Sequence, residues 1–153
     1  MSELNVSVGQ LGKLVEEAVS EGRNVEIAVV GNSMYPLFVS KRDKVTLSPV
    51  GKLKRKQIVF YKRTDGSYVL HRIVNVKRGY LLISGDNERE KEKVLPSQVI
   101  AVVTSFCRKG KRVGLNEAWY RIYSSLWCNL YGMRAFMLKI ALKLRSPGKK
   151  RKK

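Results

Sequence analysis

Between Val25 and Cys107 the chain breaks into short runs of alternating apolar and polar residues, each closed by turn-forming residues. No other feature narrows the fold as much, because a period of two sends successive side chains to opposite faces of a strand. Val25, Ile27 and Val29 mark the first run. Lys44–Leu47, Gln57–Lys62, Tyr68–Val76, Tyr80–Ser84 and Val99–Cys107 follow. Asp65-Gly66 and Arg78-Gly79 supply hairpin turns on either side of Tyr68–Val76. Glu88–Lys93 alternates in sign and reads as a solvated loop, and Arg108–Lys111 as a basic turn. The expectation is a mainly β body, a small coiled antiparallel sheet or barrel.

Helical signals flank this body. Ser7 can cap a helix over Ser7–Gly22, with Leu11, Leu14, Val15, Ala18 and Val19 on one face. Glu117–Leu144 carries aromatic and aliphatic residues at three- and four-residue steps, the pattern of one amphipathic helix or, if Gly132 breaks it, a helix pair. Ser146-Pro147-Gly148 ends that segment. The expected organisation is a helix over 1–24, a β domain over 25–115, an amphipathic segment over 116–145 and a basic tail over 146–153.

Charge separates the two ends. The 153 residues hold 31 Lys+Arg against 12 Asp+Glu, a net of +19. Residues 108–153 hold 14 of the basic side chains and one acidic one, Glu117, a net of +13. Such a segment meets anions. A single histidine excludes a multi-His metal centre, and two cysteines 21 positions apart make no disulfide framework. Met1–Gln10 lacks the apolar core of a secretory signal, and no run of about 18 apolar residues could span a bilayer.

Three short segments carry chemistry. Ser33 lies on a tight loop after the first strand, between Gly31-Asn32 and Met34-Tyr35-Pro36, placed to present a hydroxyl beside backbone N–H groups. His71 is the chain's one imidazole, so any histidine general base must be this residue. Alternation puts it on one strand face with Val69 and Ile73. Pairing about Arg78-Gly79 brings Asp86, of Gly85-Asp86-Asn87, to its neighbourhood, consistent with a Ser–His–Asp arrangement.

In this order, Gly31-Asn32-Ser33-Met34-Tyr35-Pro36, His71-Arg72-Ile73-Val74 and Gly85-Asp86-Asn87 resemble the signal peptidase I family, whose superfamily also holds LexA-like self-cleaving repressors. The likeness covers residues 25–105. It implies a serine endopeptidase with Ser33 as nucleophile and His71 as general base, as in archaeal, endoplasmic-reticulum and some Gram-positive members. It further implies Asp86 as supporting acid, Met34, Tyr35 and Pro36 along the substrate groove, and hydrolysis through an acyl-enzyme without metal or organic cofactor. Ser/His members carry a second aspartate after Gly-Asp-Asn. Here Glu88–Lys93 has none, so Glu90 and Glu92 stand beside Asp86 as candidate acids.

The family's N-terminal anchor is replaced by a helix bearing Glu16, Glu17 and Glu21. The expectation is therefore a cytoplasmic peptidase that trims a leader or partner protein and can lie peripherally on the inner face of the membrane. Trp119, Tyr123, Trp127, Arg134, Lys149 and Lys150 are the expected contacts with an anionic membrane surface. Packing of the aromatic stripe on the β body or on a second subunit ranks second, and nucleic acid third. The competing reading is a non-enzymatic basic module, or a degenerate peptidase scaffold, that binds anionic membrane or nucleic acid.

Overall fold

A computed structural model describes residues 7–145. Helix α1 (Val8–Ser20) starts as expected: Gln10 N donates to Ser7 Oγ, and Ser7 N donates to the Gln10 side chain. Val15, Ala18 and Val19 are buried, whereas Leu14 is turned to solvent, 55% exposed. The strands are β1 (Val25–Ala28), β2 (Lys44–Pro49), β3 (Ile58–Lys62), β4 (Tyr68–Lys77), β5 (Tyr80–Ser84), β6 (Glu92–Val94), β7 (Val99–Arg108) and β8 (Lys111–Gly114). Helices α2 (Ala118–Asn129) and α3 (Arg134–Arg145) follow, joined through a single 3-10 turn at Tyr131–Met133.

All eight strands lie in one antiparallel sheet of order β1-β2-β7-β3-β4-β5-β6, with β8 also paired to β7. The sheet is coiled open rather than closed into a barrel. Two strands escaped the sequence pattern. Strand β6 lies in the charged stretch after Gly85-Asp86-Asn87, and β8 extends the basic turn.

Apolar side chains fill both faces. Val15, Val19, Leu47, Phe60, Val103 and Phe106 belong to one cluster, against which α1 packs. Val59, Tyr61, Ile73, Leu81 and Ile83 form the other. Strand β4 serves both, as alternation requires: Tyr68 and Leu70 pack on the first and Val69 and Ile73 on the second.

One irregularity in β4 decides what surrounds the candidate site. The β4–β5 hairpin begins with Lys77 opposite Tyr80, but the register slips between Ile73 and Asn75, leaving Arg72 opposite Ser84. Uninterrupted pairing would set His71 opposite Asp86 on a shared face. The bulge at Val74 sends Asp86 to the face of Arg72 instead, because a one-residue slip exchanges faces.

Candidate active site

Ser33 follows β1 on a loop held from several sides. Val29 N donates to Asp43 O (2.9 Å) and Lys41 N to Val29 O (2.8 Å), so the chain leaves and returns as a closed excursion. Gly31 takes a positive φ of 83°, open to glycine at no steric cost, and its N–H donates to Ser40 Oγ. Met34, Leu37 and Phe38 are buried and anchor the far side. Ser33 itself is half-buried. Its carbonyl accepts from Asn87 N at 2.8 Å, and Asn87 Nδ2 donates to Asn32 O at 3.2 Å. Ser33 is therefore fastened to Gly85-Asp86-Asn87, the loop that follows β5. Among the described residues Ser33 Oγ makes no hydrogen bond.

His71 lies on β4 opposite Val59 and is 1% exposed. Tyr61 Oη stands 3.3 Å from Nδ1, and Glu92 Oε1 lies 3.7 Å from the same nitrogen. Glu88 Oε1 lies 3.5 Å from Nε2. Burial pulls the imidazole pKa below its ordinary 6.5, against the opposing pull of Glu88 and Glu92. Glu92 is in turn gripped by Arg63, with Nε donating to Oε2 at 2.9 Å and Nη2 to Oε1. That grip holds the Glu92 carboxyl below its usual range against the upward push of burial.

Asp86 is not the partner of His71. Its carboxylate is fully buried and accepts from Arg72 Nε and Nη2, each at 2.8 Å, and from Tyr123 Oη at 3.0 Å. The bulge at Val74 is the cause. Arg72 is also wholly buried; burial lowers its pKa, and the Asp86 charge outweighs this and raises it. Of the alternative acids, Glu92 faces the imidazole. Glu90 is exposed and contributes its backbone carbonyl to Ser84 Oγ.

The residues expected to touch a membrane divide. Trp119 is 41% exposed. Tyr123, Trp127 and Arg134 point inward: Trp127 Nε1 donates to Asp86 O at 2.8 Å, and Arg134 Nη1 to Gly85 O at 3.1 Å. Arg134 Nε donates to Trp127 O, and the guanidinium lies 4.2 Å from the Tyr131 ring centroid. These three side chains are engaged with the buried charge and backbone of the site loop, Trp127 and Arg134 buried and Tyr123 half-buried. Helical periodicity finds such a stripe, but it cannot say that a buried aspartate waits beneath it. Lys149 and Lys150 lie outside the described residues.

Beside Ser33 a cavity of about 150 Å³ opens between α1 and the sheet, lined by Val8, Leu11, Ile27, Met34, Phe60 and Tyr68 among others. Of the three residues expected along a substrate groove, Met34 lines this cavity, while Tyr35 and Pro36 do not.

Glu88, Tyr61 and Arg63 escaped sequence reading as parts of the site. Their signal was faint: a glutamate two positions after Asp86, and two residues on β3 and the turn after it, opposite or near the β4 histidine. His71, Glu88 and Glu92 bring one ligand atom each within 4.8 Å of one another. The carboxylates address different ring nitrogens, and Arg63 already neutralises Glu92, so the set frames an imidazole rather than converging on a cation.

Chemically, the arrangement offers a hydroxyl on a fixed loop and a buried neutral imidazole oriented by a tyrosine and a carboxylate. A short loop, Gly85–Glu88, touches both: Asn87 on Ser33, Glu88 on His71. Comparison of the chain with protein-family models, curated proteins and solved structures gives no match.

Proposed function

We propose that the chain is a serine endopeptidase of the signal-peptidase type, in which Ser33 attacks the scissile carbonyl and His71 takes its proton. The observation that carries this reading is the Gly85–Glu88 loop. It hydrogen-bonds the backbone of Ser33 through Asn87 and sets Glu88 3.5 Å from His71 Nε2, so one short loop contacts both nucleophile and base. Tyr61 and Glu92 lie at Nδ1 and Glu88 near Nε2, and burial keeps the ring neutral and able to accept a proton. A serine–base hydrogen bond is commonly long in a free peptidase and closes when substrate excludes water.

In this reading the substrate's acyl group is transferred to Ser33 Oγ, the imidazolium returns its proton to the leaving amine, and water repeats the sequence to release the acid. The apolar cavity beside Ser33 receives a substrate side chain. The substrate is an extended segment of a leader or partner protein.

The test is acylation of the full chain by a penem or a peptide boronate, read as a mass shift. Wild type should be labelled at Ser33, while Ser33→Ala and His71→Ala should remain unlabelled yet folded. Labelling that survives Ser33→Ala, or an unlabelled but folded wild type, would overturn the proposal in favour of a binding scaffold.

A further inference from the structure

On α2, Tyr123 and Trp127 are spent on the site loop, as is Arg134 at the start of α3. Other side chains of both helices face solvent. Ile122 and Leu126, one turn apart on α2, are 61% and 45% exposed. On α3, Phe136, Ile140 and Leu144 follow at four-residue steps and are likewise exposed, with Met133 in the turn between the helices. Arg121, Lys139 and Lys143 are exposed alongside these stripes. Single apolar residues on a surface need no explanation, but aligned ones flanked by cations do.

Charge and length select the partner. Residues 118–145 contain no acid, and Arg121, Lys139 and Lys143 are the exposed cations described beside the stripes, so the partner is anionic. A nucleic acid would satisfy the cations but leave Ile122, Leu126, Phe136 and Ile140 in water. An anionic bilayer surface takes both kinds of side chain, head groups meeting the cations and the acyl boundary meeting the apolar stripe. No helix among the described residues is long and apolar enough to cross a membrane. The 12 residues of α3 reach about 18 Å, short of a hydrocarbon core of about 30 Å. Contact is therefore in the plane of the interface.

We propose that the outer faces of α2 and α3, through Ile122, Leu126, Phe136, Ile140 and the cations beside them, dock the protein on an anionic membrane surface. This face differs from the one that the aromatic periodicity suggested, since Tyr123, Trp127 and Arg134 are engaged inside. The inference stands apart from whether Ser33 is a nucleophile.

Flotation of the full chain with lipid vesicles tests it. Vesicles of phosphatidylcholine alone should leave the protein in solution. Vesicles with about one third phosphatidylglycerol should carry it, with binding falling more than about tenfold between low and high salt. The paired changes Ile122→Ser with Leu126→Ser, and Phe136→Ser with Ile140→Ser, should each weaken binding by about tenfold or more. Because the replaced side chains are exposed, thermal melting should not move. Failure to float with anionic vesicles at low salt would overturn the proposal. So would serine variants that bind as wild type does, which would reduce the contact to charge alone, or binding to duplex nucleic acid with no binding to vesicles.

Discussion

A methyl group placed on Gly85 would lie 2.5 Å from the carbonyl oxygen of Ser33. That oxygen also accepts from Asn87 N, so the two loops are in backbone contact and neither can yield as a flexible side chain would. Gly85→Ala should displace Ser33. We expect acylation of Ser33 to slow by about 100-fold, the cost of a displacement near 1 Å at a reacting centre. Loss of stability should stay within about 1–3 kcal/mol. Mass-shift kinetics and urea unfolding read the two effects separately, and a variant acylated at the wild-type rate would refute the coupling.

Asp86 should behave as a structural charge. Asp86→Ala leaves Arg72 buried without its counter-charge, which should cost about 3–5 kcal/mol. Replacing both, Arg72→Met with Asp86→Leu, should recover most of that loss, since a buried pair can often be exchanged for apolar side chains. Denaturant midpoints decide. If Asp86→Ala kept its stability and instead shifted the titration of His71, Asp86 would belong to the imidazole after all.

The single imidazole makes pH dependence easy to assign. Burial lowers the His71 pKa, so the folded protein holds a neutral ring at a pH where the unfolded chain, near 6.5, is already taking up a proton. Stability from this residue is therefore complete above about pH 6.5 and declines as the pH falls below it. The acid limb of Ser33 acylation should have its midpoint below 6.5. Glu88 and Glu92 both raise the pKa, so Glu88→Gln and Glu92→Gln should each move that midpoint further down. An NMR titration of the lone histidine checks the direction, and an upward shift in either variant would contradict it.

Helix α1 walls the apolar cavity through Gly12, where an added Cβ would lie 2.2 Å from the Tyr68 ring. Tyr68 stacks on Phe60 and its hydroxyl donates to Glu16 at 2.8 Å, so the ring is pinned on two sides. Gly12→Ala should push α1 and Tyr68 apart, lowering stability by about 1–3 kcal/mol. Selectivity among peptide boronates with different apolar side chains should broaden as the cavity widens. Unchanged selectivity would separate α1 from substrate choice.

Period-two alternation was enough to place β1–β5 and β7, and the two hairpin turns to order β3–β5. It failed for β6 and β8, where charged side chains occupy strands of three and four residues and only pairing with a neighbour makes them strands. Ser33, His71 and the loop of Asp86 were legible because glycine, proline and a lone imidazole stand out among runs of alternating residues. The partner of each charge was not. A single extra residue at Val74 redirects Asp86 from the imidazole to Arg72, and no local preference announces a bulge in an apolar run. Leu14 and the inward turn of Tyr123 and Trp127 share this origin: periodicity defines a stripe, and tertiary contact chooses which way it faces.

The enclosure of Asp86 also bears on the order in which the protein is made. Arg72 and Asp86 leave the ribosome long before Tyr123, Trp127 and Arg134, the side chains that cover the aspartate and its loop. A nascent chain that has emerged only as far as the end of β8 holds Arg72 and Asp86 without the side chains that later cover them, and a site loop lacking its outer supports. The centre is finished by side chains of α2 and α3, which are synthesised after it, so translation itself delays the moment at which the loop beneath Ser33 and His71 gains its outer supports.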